Sequence, residues 1–183
     1  MSLKLITGPA SEPITLAQAK LHLRIEGSAT DEDTIITALI TASREAAEHE
    51  LGRGIGSQTW KLTLDEFPAE AIKLPLAPVA SITLVQYFDT AGAAQTLPSS
   101  AYVLDNADAD QAWLLKAYGY EWPDTYDAAN AVQITYVCGL TSTPETVRAW
   151  MLLRIGALYE KRSDFEQSSC VDRLLDRYRL VSV

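Results

Sequence analysis

Apolar residues fall on two different periods along this chain. Through roughly the first fifty residues they recur at three- and four-residue spacing. From about 57 to 138 they occupy every second position, and beyond 143 the helical spacing returns.

The first helical signal is Ile14-Thr15-Leu16-Ala17-Gln18. Thr15 and Gln18 stand three apart, the spacing of a capping box in which each side chain reaches the other's backbone N–H. Leu16, Ala19 and Leu23, with Leu21 as a further candidate, carry an apolar face to about Arg24, and Gly27-Ser28 breaks it. A second and longer helix is predicted over 31–51. Thr30 is its expected N-cap, Asp31, Glu32 and Asp33 suit the positive end of the helix dipole, and Gly52 is its expected stop. Ile35, Ile36, Leu39, Ile40, Ala46, Ala47 and Leu51 supply its periodic apolar positions.

Alternation then takes over. Trp60, Leu62 and Leu64 share one face of a half-buried strand. Ile72, Leu74 and Leu76 make a short extended run between prolines, and Ile82, Leu84, Gln86 and Phe88 form a longer one. Asp89 to Gly92 reads as a hairpin turn with a return over Ala94–Leu97. Tyr102–Leu104, Trp113–Leu115 and Val132–Cys138 are further strands, and the aromatic segment Tyr118–Asp124 reads as an ordered loop. Thr143-Pro144-Glu145 then opens a helix to about Lys161 with Val147, Trp150, Met151, Ile155, Leu158 and Tyr159 on its stripe. After a polar break at 163–169, Val171–Leu180 is predicted as a short amphipathic helix.

The fold class implied is α+β, with N-terminal helices and a C-terminal helix packed together around an inserted strand-rich region. The expected division is a helical core over 1–56 and 139–165, an inserted β region over 57–138, and a tail over 166–183. A chain of 183 residues buries roughly 70% of the surface its unfolded form exposes, so it needs no staples to hold a core. Its two cysteines, Cys138 and Cys170, make neither a metal-ligand spacing nor a disulfide framework and are expected to be reduced thiols. No run approaches the roughly 18 apolar residues of a membrane span, so no membrane association is expected. The opening residues lack the pattern of an export signal, and a cytoplasmic protein is expected.

Charge narrows the function classes. The formal net charge is −9, spread as −3 over 1–60, −7 over 61–140 and +1 over 141–183. Phosphate contacts supply most of the affinity of proteins that grip nucleic acid, and this chain has no basic stripe to make them. An acidic wall instead lets DNA slide past without sticking.

Catalytic chemistry is hard to find. The two histidines, His22 and His49, stand alone on helices, and no nucleophile–base arrangement surrounds them. Gly52-Arg53-Gly54-Ile55-Gly56 follows a helix and precedes a strand, the reverse of the order that aims backbone amides at a phosphate. Asp105, Asp108 and Asp110 resemble a calcium loop only superficially, because the sixth and twelfth loop places hold Asp110 and Lys116 instead of glycine and glutamate. No catalytic residue, cofactor or metal site is therefore expected. The tail is the exception to this blandness. A helix of about ten residues is marginal alone in water and needs a surface to bury against. That surface is either its own domain or a neighbouring subunit. Val171, Leu174, Leu175 and Tyr178, with basic Arg173 and Arg177 beside them, are the candidate oligomer or partner contacts. On the second alternative the tail is dispensable for folding and required for assembly, with its positive charge meeting the acidic 61–140 region of the next copy.

Several of these segments together resemble a known family. Pro13-Ile14-Thr15-Leu16-Ala17-Gln18-Ala19-Lys20-Leu21-His22-Leu23-Arg24 is followed by Asp31-Glu32-Asp33-Thr34-Ile35-Ile36 and a helix ending Leu51-Gly52-Arg53. This opening resembles the tailed-phage head–tail connector, or adaptor, family. Gln58-Thr59-Trp60 with Leu62, Leu74-Pro75 with Pro78-Val79, Ala131–Gly139, and Pro144-Glu145 leading to Tyr159-Glu160-Lys161-Arg162 resemble the larger version of that family, with an inserted β domain. The resemblance spans about residues 10–165. It implies a virion structural protein: a ring oligomer under the portal protein in the neck of a tailed phage or prophage, assembled in the host cytoplasm. Such a ring extends the DNA channel, contacts DNA without reading its sequence, and docks a stopper or tail-completion protein. It implies no catalytic residue. Two other readings are a small ligand-binding or regulatory module with Trp113, Tyr118, Tyr120 and Trp122 around a pocket, and a hydrolase using Asp105, Asp108 and Asp110.

Overall fold

A computed structural model describes residues 1–161 and 169–180. The chain forms two compact units, one from Met1–Pro9 with Ser57–Leu140 and one from Ala10–Gly56 with Thr141–Val183.

The first unit is built of strands. Its larger sheet has the order β1-β2-β8-β4-β5, from Ser2–Thr7 (β1), Gln58–Leu64 (β2), Val132–Cys138 (β8), Val79–Phe88 (β4) and Ala94–Thr96 (β5). A smaller sheet runs β3-β7-β6, from Ile72–Leu74 (β3), Ala112–Lys116 (β7) and Tyr102–Asp105 (β6). Every pairing is antiparallel. β8 is central because it alternates without a fault. Val132, Ile134, Tyr136 and Cys138 are buried, and the residues between them are half-buried. It pairs with β2 from Gln58↔Cys138 to Leu64↔Val132, and on its other side with β4. Leu62, Val85 and Ile134 of this sheet close on Ile72, Leu74 and Leu114 of the smaller one. Tyr136 is fully buried, and its hydroxyl donates to the Pro75 carbonyl at 3.0 Å. Burial pushes that phenol's pKa up, beyond any ordinary titration.

The second unit holds helices Leu16–Leu23 (α1), Asp33–Leu51 (α2) and Glu145–Lys161 (α3) with the one-turn helix Ser169–Asp172 (α4). The capping box forms: the Gln18 amide donates to Thr15 Oγ1 at 3.2 Å, and the Thr15 amide donates to Gln18 Oε1 at 3.0 Å. Ile36, Ile40, Leu51, Trp150, Met151 and Ile155 make the core, and Gly52 ends α2 at φ 68°.

Four expectations need correction. α2 begins two residues later than Thr30 suggests; Glu32 is its N-cap, without a side-chain cap bond. Thr30 instead offers its carbonyl to the Asp33 amide at 3.2 Å. Leu76 does not extend its strand, because its backbone turns into the left-handed region at φ 60° ahead of the cis Ala77–Pro78 bond. Ser2–Thr7, placed by sequence with the helices, is instead a strand of the β unit paired with β2. The tail is not one helix. It folds as α4, a turn, and a 3-10 turn at Asp176–Tyr178.

Two measurements follow. Ile134 is completely buried between two fully paired neighbours, so Ile134→Ala should cost about 2–5 kcal/mol, read as a lower urea midpoint at unchanged slope. In the β4–β5 hairpin, Gln95 and the Ala93 and Ala91 amides donate to the Asp89 carboxylate and lower its pKa below 3.8. A carboxyl depressed in the folded state stabilises above its unfolded pKa and stops doing so as pH falls through the folded value. Exchange protection of the Ala91 and Ala93 amides should therefore drop in that acid window, while that of the β8 amides persists.

Candidate functional site

Polar groups of the helical unit are engaged with one another. Arg44 is buried on α2, with Nε 2.9 Å from Glu12 Oε2 and Nη1 2.8 Å from Glu48 Oε2. Glu12 also accepts from the Thr41 hydroxyl at 3.1 Å, and Glu48 from the Ile55 amide at 2.9 Å. This knot ties the segment before α1 and the segment after α2 to one guanidinium. Lys20, also buried, donates to the Ala29 carbonyl at 2.6 Å and pairs with Asp33, which fixes the α1–α2 turn. The Tyr159 hydroxyl bonds the Glu32 carboxylate, and Arg148 donates to the Pro13 carbonyl at 2.7 Å. They hold the unit together.

The remaining candidates fall in separate places. His22 lies over Gly156 of α3, where an added Cβ would stand 3.3 Å from Nε2, and His49 is in the last turn of α2. Among the described residues no group of three or more His, Cys, Asp or Glu is disposed to hold a metal ion. Asp105 and Asp108 accept from backbone amides two residues on, at 3.3 and 2.8 Å, as turn-forming aspartates do. The aromatics do not gather around a pocket. Tyr118 is fully exposed and Tyr120 nearly half exposed, Trp113 lies under the Lys73 ammonium at 5.8 Å, and Trp122 stacks on Phe67 at 4.9 Å. The β unit also carries an open apolar groove of about 550 Å³ between Leu64, Pro68, Ile72 and Pro75.

The tail residues divide into two sets. Leu175 is fully buried among the helices, and Val171, Leu174 and Tyr178 pack against the same core half-exposed. The backbone fastens them. The Leu180 amide donates to the Leu51 carbonyl at 2.8 Å, Arg53 Nε to the Tyr178 carbonyl at 2.7 Å, and Arg179 Nε to the Glu50 carbonyl at 3.0 Å. Trp150 Nε1 donates to Asp172 at 3.2 Å. The tail thus satisfies carbonyls that the end of α2 leaves open. Arg173 and Arg177 point away from this packing and are exposed, Arg177 lying 5.8 Å from the Tyr178 ring. Sequence reasoning identified the apolar stripe but missed its clasp. Arg53 is the residue that could have indicated it: an arginine between glycines, just past a helix end, is well placed to reach a carbonyl.

Burial differs along the tail, and the cost of truncating each residue should differ with it. Leu175→Ala should destabilise the chain by about 2–5 kcal/mol, whereas Arg173→Ala should stay within about 0.5 kcal/mol, both read by urea denaturation.

Comparison with known proteins adds a likeness of a different kind. Residues 13–87 match the family model described as phage gp6-like head-tail connector protein. No curated protein sequence matches the chain. Its fold is found in solved structures. A chain from the neck of an empty GTA particle, computed with C6 symmetry, superposes with a TM-score of 0.84 at 24% identity, covering 100% of this chain and 97% of that one. A chain from the virion of a native gene transfer agent (GTA) particle gives 0.82 at 23%, with the same coverage. A third, from the neck of a native GTA particle computed with C12 symmetry, gives 0.80 at 23%, again covering 100% and 97%.

Proposed function

We propose, for a chain that carries the phage gp6-like head-tail connector signature over residues 13–87 and the fold of particle-neck proteins over its whole length, that it is a structural head–tail connector subunit. The single observation that carries this reading is coextension: the likeness to the neck chain covers 100% of this chain and 97% of that one, both units included. In this role the copies close into a ring beneath the portal protein of a tailed particle, extend its DNA channel, and offer the opposite side to a stopper or tail-completion protein. Ring closure requires a heterologous contact, in which two different surfaces of the same chain meet. The net charge of −9 suits a surface that DNA passes without being held. Assembly takes place in the host cytoplasm, the finished position is the virion neck, and no catalytic step is part of the role.

Arg173 and Arg177 enter as contacts rather than as core. Both side chains are exposed, and an acidic surface on a neighbouring copy or on the portal is their natural complement. A double Arg173→Glu, Arg177→Glu variant should melt like the parent and associate more weakly, most clearly at low salt.

The full-length chain, alone at rising concentration and mixed with portal protein, tests the reading by mass photometry and negative-stain microscopy. Closed rings, seated on the portal when it is present, are the expected result. A chain that stays monomeric in both settings overturns it.

A further inference from the structure

The larger sheet of the β unit ends in two strands whose outer edges pair with nothing among the described residues: β1 on one side and β5 on the other. An unpaired strand edge presents a row of N–H and C=O groups and is a template for another strand. Proteins that must stay apart cover such edges or crowd them with charge. Here, among the described residues, neither edge has a strand paired to it. β1 shows solvent Leu5 and Ile6, 41% and 46% exposed, and has Lys4 as its one charge. A register shift between Leu5 and Thr7 marks a bulge at its end, which leaves Ser2–Leu5 as a regular run. β5, Ala94-Gln95-Thr96, is exposed throughout and has no charged residue of its own. Beside it lie the exposed ring of Phe88 and the carboxylate of Asp89. The two edges are thus complementary: apolar Leu5 and Ile6 with cationic Lys4 on one, apolar Phe88 and Ala94 with anionic Asp89 on the other.

Symmetry selects the pairing. β1 against β1, or β5 against β5, is a contact of like with like. It closes a two-fold dimer and cannot propagate around a ring of equivalent copies. β1 against β5 is heterologous and repeats from copy to copy. We propose that the β1 edge of each subunit adds onto the β5 edge of its neighbour, so that the five-stranded sheets join across the subunit boundary. The inference rests on the ring reading above and names the surfaces that close the ring.

Thiol cross-linking tests it on the full chain. In a Cys170→Ser background, with Cys138 buried, one cysteine is placed on β1 by Leu5→Cys and one on the other edge by Ala94→Cys or Thr96→Cys. All three positions are exposed, so the fold should hold, and an unchanged melting temperature checks that it does. Rings assembled with portal are treated with a short bifunctional maleimide and run on a denaturing gel. The expected result is a ladder of covalent multimers from chains carrying both cysteines and only monomer from each single variant, because like edges do not meet. Lys4→Glu should lower ring yield severalfold at low ionic strength and less at high salt. Rings that form normally but give no ladder with either pair overturn the edge contact and leave the ring reading standing, as does a dimer band from Leu5→Cys alone. Absence of rings in the parent overturns both.

Discussion

The ladder between β2 and β8 is the constraint on which the architecture rests. Gln58, where the chain enters the β unit, pairs with Cys138, where it leaves. Eighty residues of strands and loops are thereby returned to their starting point by backbone hydrogen bonds. β4 reinforces the closure from the other side through Val79↔Cys138, and the Gly139 amide donates to the Pro78 carbonyl at 2.9 Å. An insertion whose ends meet can be long without cost to its host, since loop-closure entropy grows only with the logarithm of length once the ends are fixed together. That is how a helical unit made from two distant stretches of chain, 10–56 and 141–183, remains one folding unit.

Within that helical unit, ionic groups do what the core cannot. α1 is only eight residues long, too short to persist in water unaided. It is held by Ile14 and Ala19 in the apolar core, by the capping box, and by Lys20 reaching the Ala29 carbonyl and Asp33. Arg44 serves the segments on either side of α1 and α2 in the same way. A buried guanidinium is expensive unless nearly every N–H is used, and here Glu12 and Glu48 take them at hydrogen-bond distance while themselves accepting from Thr41 and Ile55. The tail completes the set at the other end of α2, where Gly52 leaves room against Leu180, 3.5 Å from where a Cβ would sit. A larger residue there would meet that leucine and also the penalty of a left-handed backbone.

How much of this was legible in sequence depended on burial. α2, α3 and β8 could be read directly, because each buries one face and so writes its period into the order of apolar residues. The capping box was equally legible, its two side chains being defined by a fixed spacing. β1 was not. It is exposed on both faces apart from Leu3, and a strand that buries almost nothing leaves no alternation to find. The tail misled for a related reason. Val171, Leu174, Leu175 and Tyr178 do face the core, but through turns rather than a continuous helix, and the Leu180 amide and the Arg179 side chain donate to the Leu51 and Glu50 carbonyls instead. The Arg44–Glu12 half of the knot was invisible because charge partners distant in sequence carry no periodic mark. The functional surface was the least legible part, since contacts between copies need not follow the rules of a buried core. The family resemblance, carried by the Pro13–Arg24 and Asp31–Ile36 segments, points to a role but fixes no contact residue.

Charge then limits how such copies can join. The β unit carries ten acidic side chains against four lysines. Three of the lysines are engaged within it: Lys61 donates to Gln133, Lys73 lies over Trp113, and Lys116 pairs with Glu121. Neighbouring units of this kind repel at any distance shorter than the screening length, about 8 Å at physiological salt. Net electrostatics therefore cannot gather them. In the proposed ring, the contact that joins copies must act at short range and be directional enough to fix one rotation between them, because a ring closes only if every step is the same. Strand edges meet both conditions, since backbone hydrogen bonds form only at about 5 Å strand spacing and only in register. In the proposed edge contact, Lys4, a single cation set among apolar residues on β1, would face the acid beside β5 while the acidic surface elsewhere stays as it is. An acidic exterior and a hydrogen-bonding edge are therefore compatible features of the proposed ring: repulsion opposes every approach of two β units except one that brings the strand edges into register.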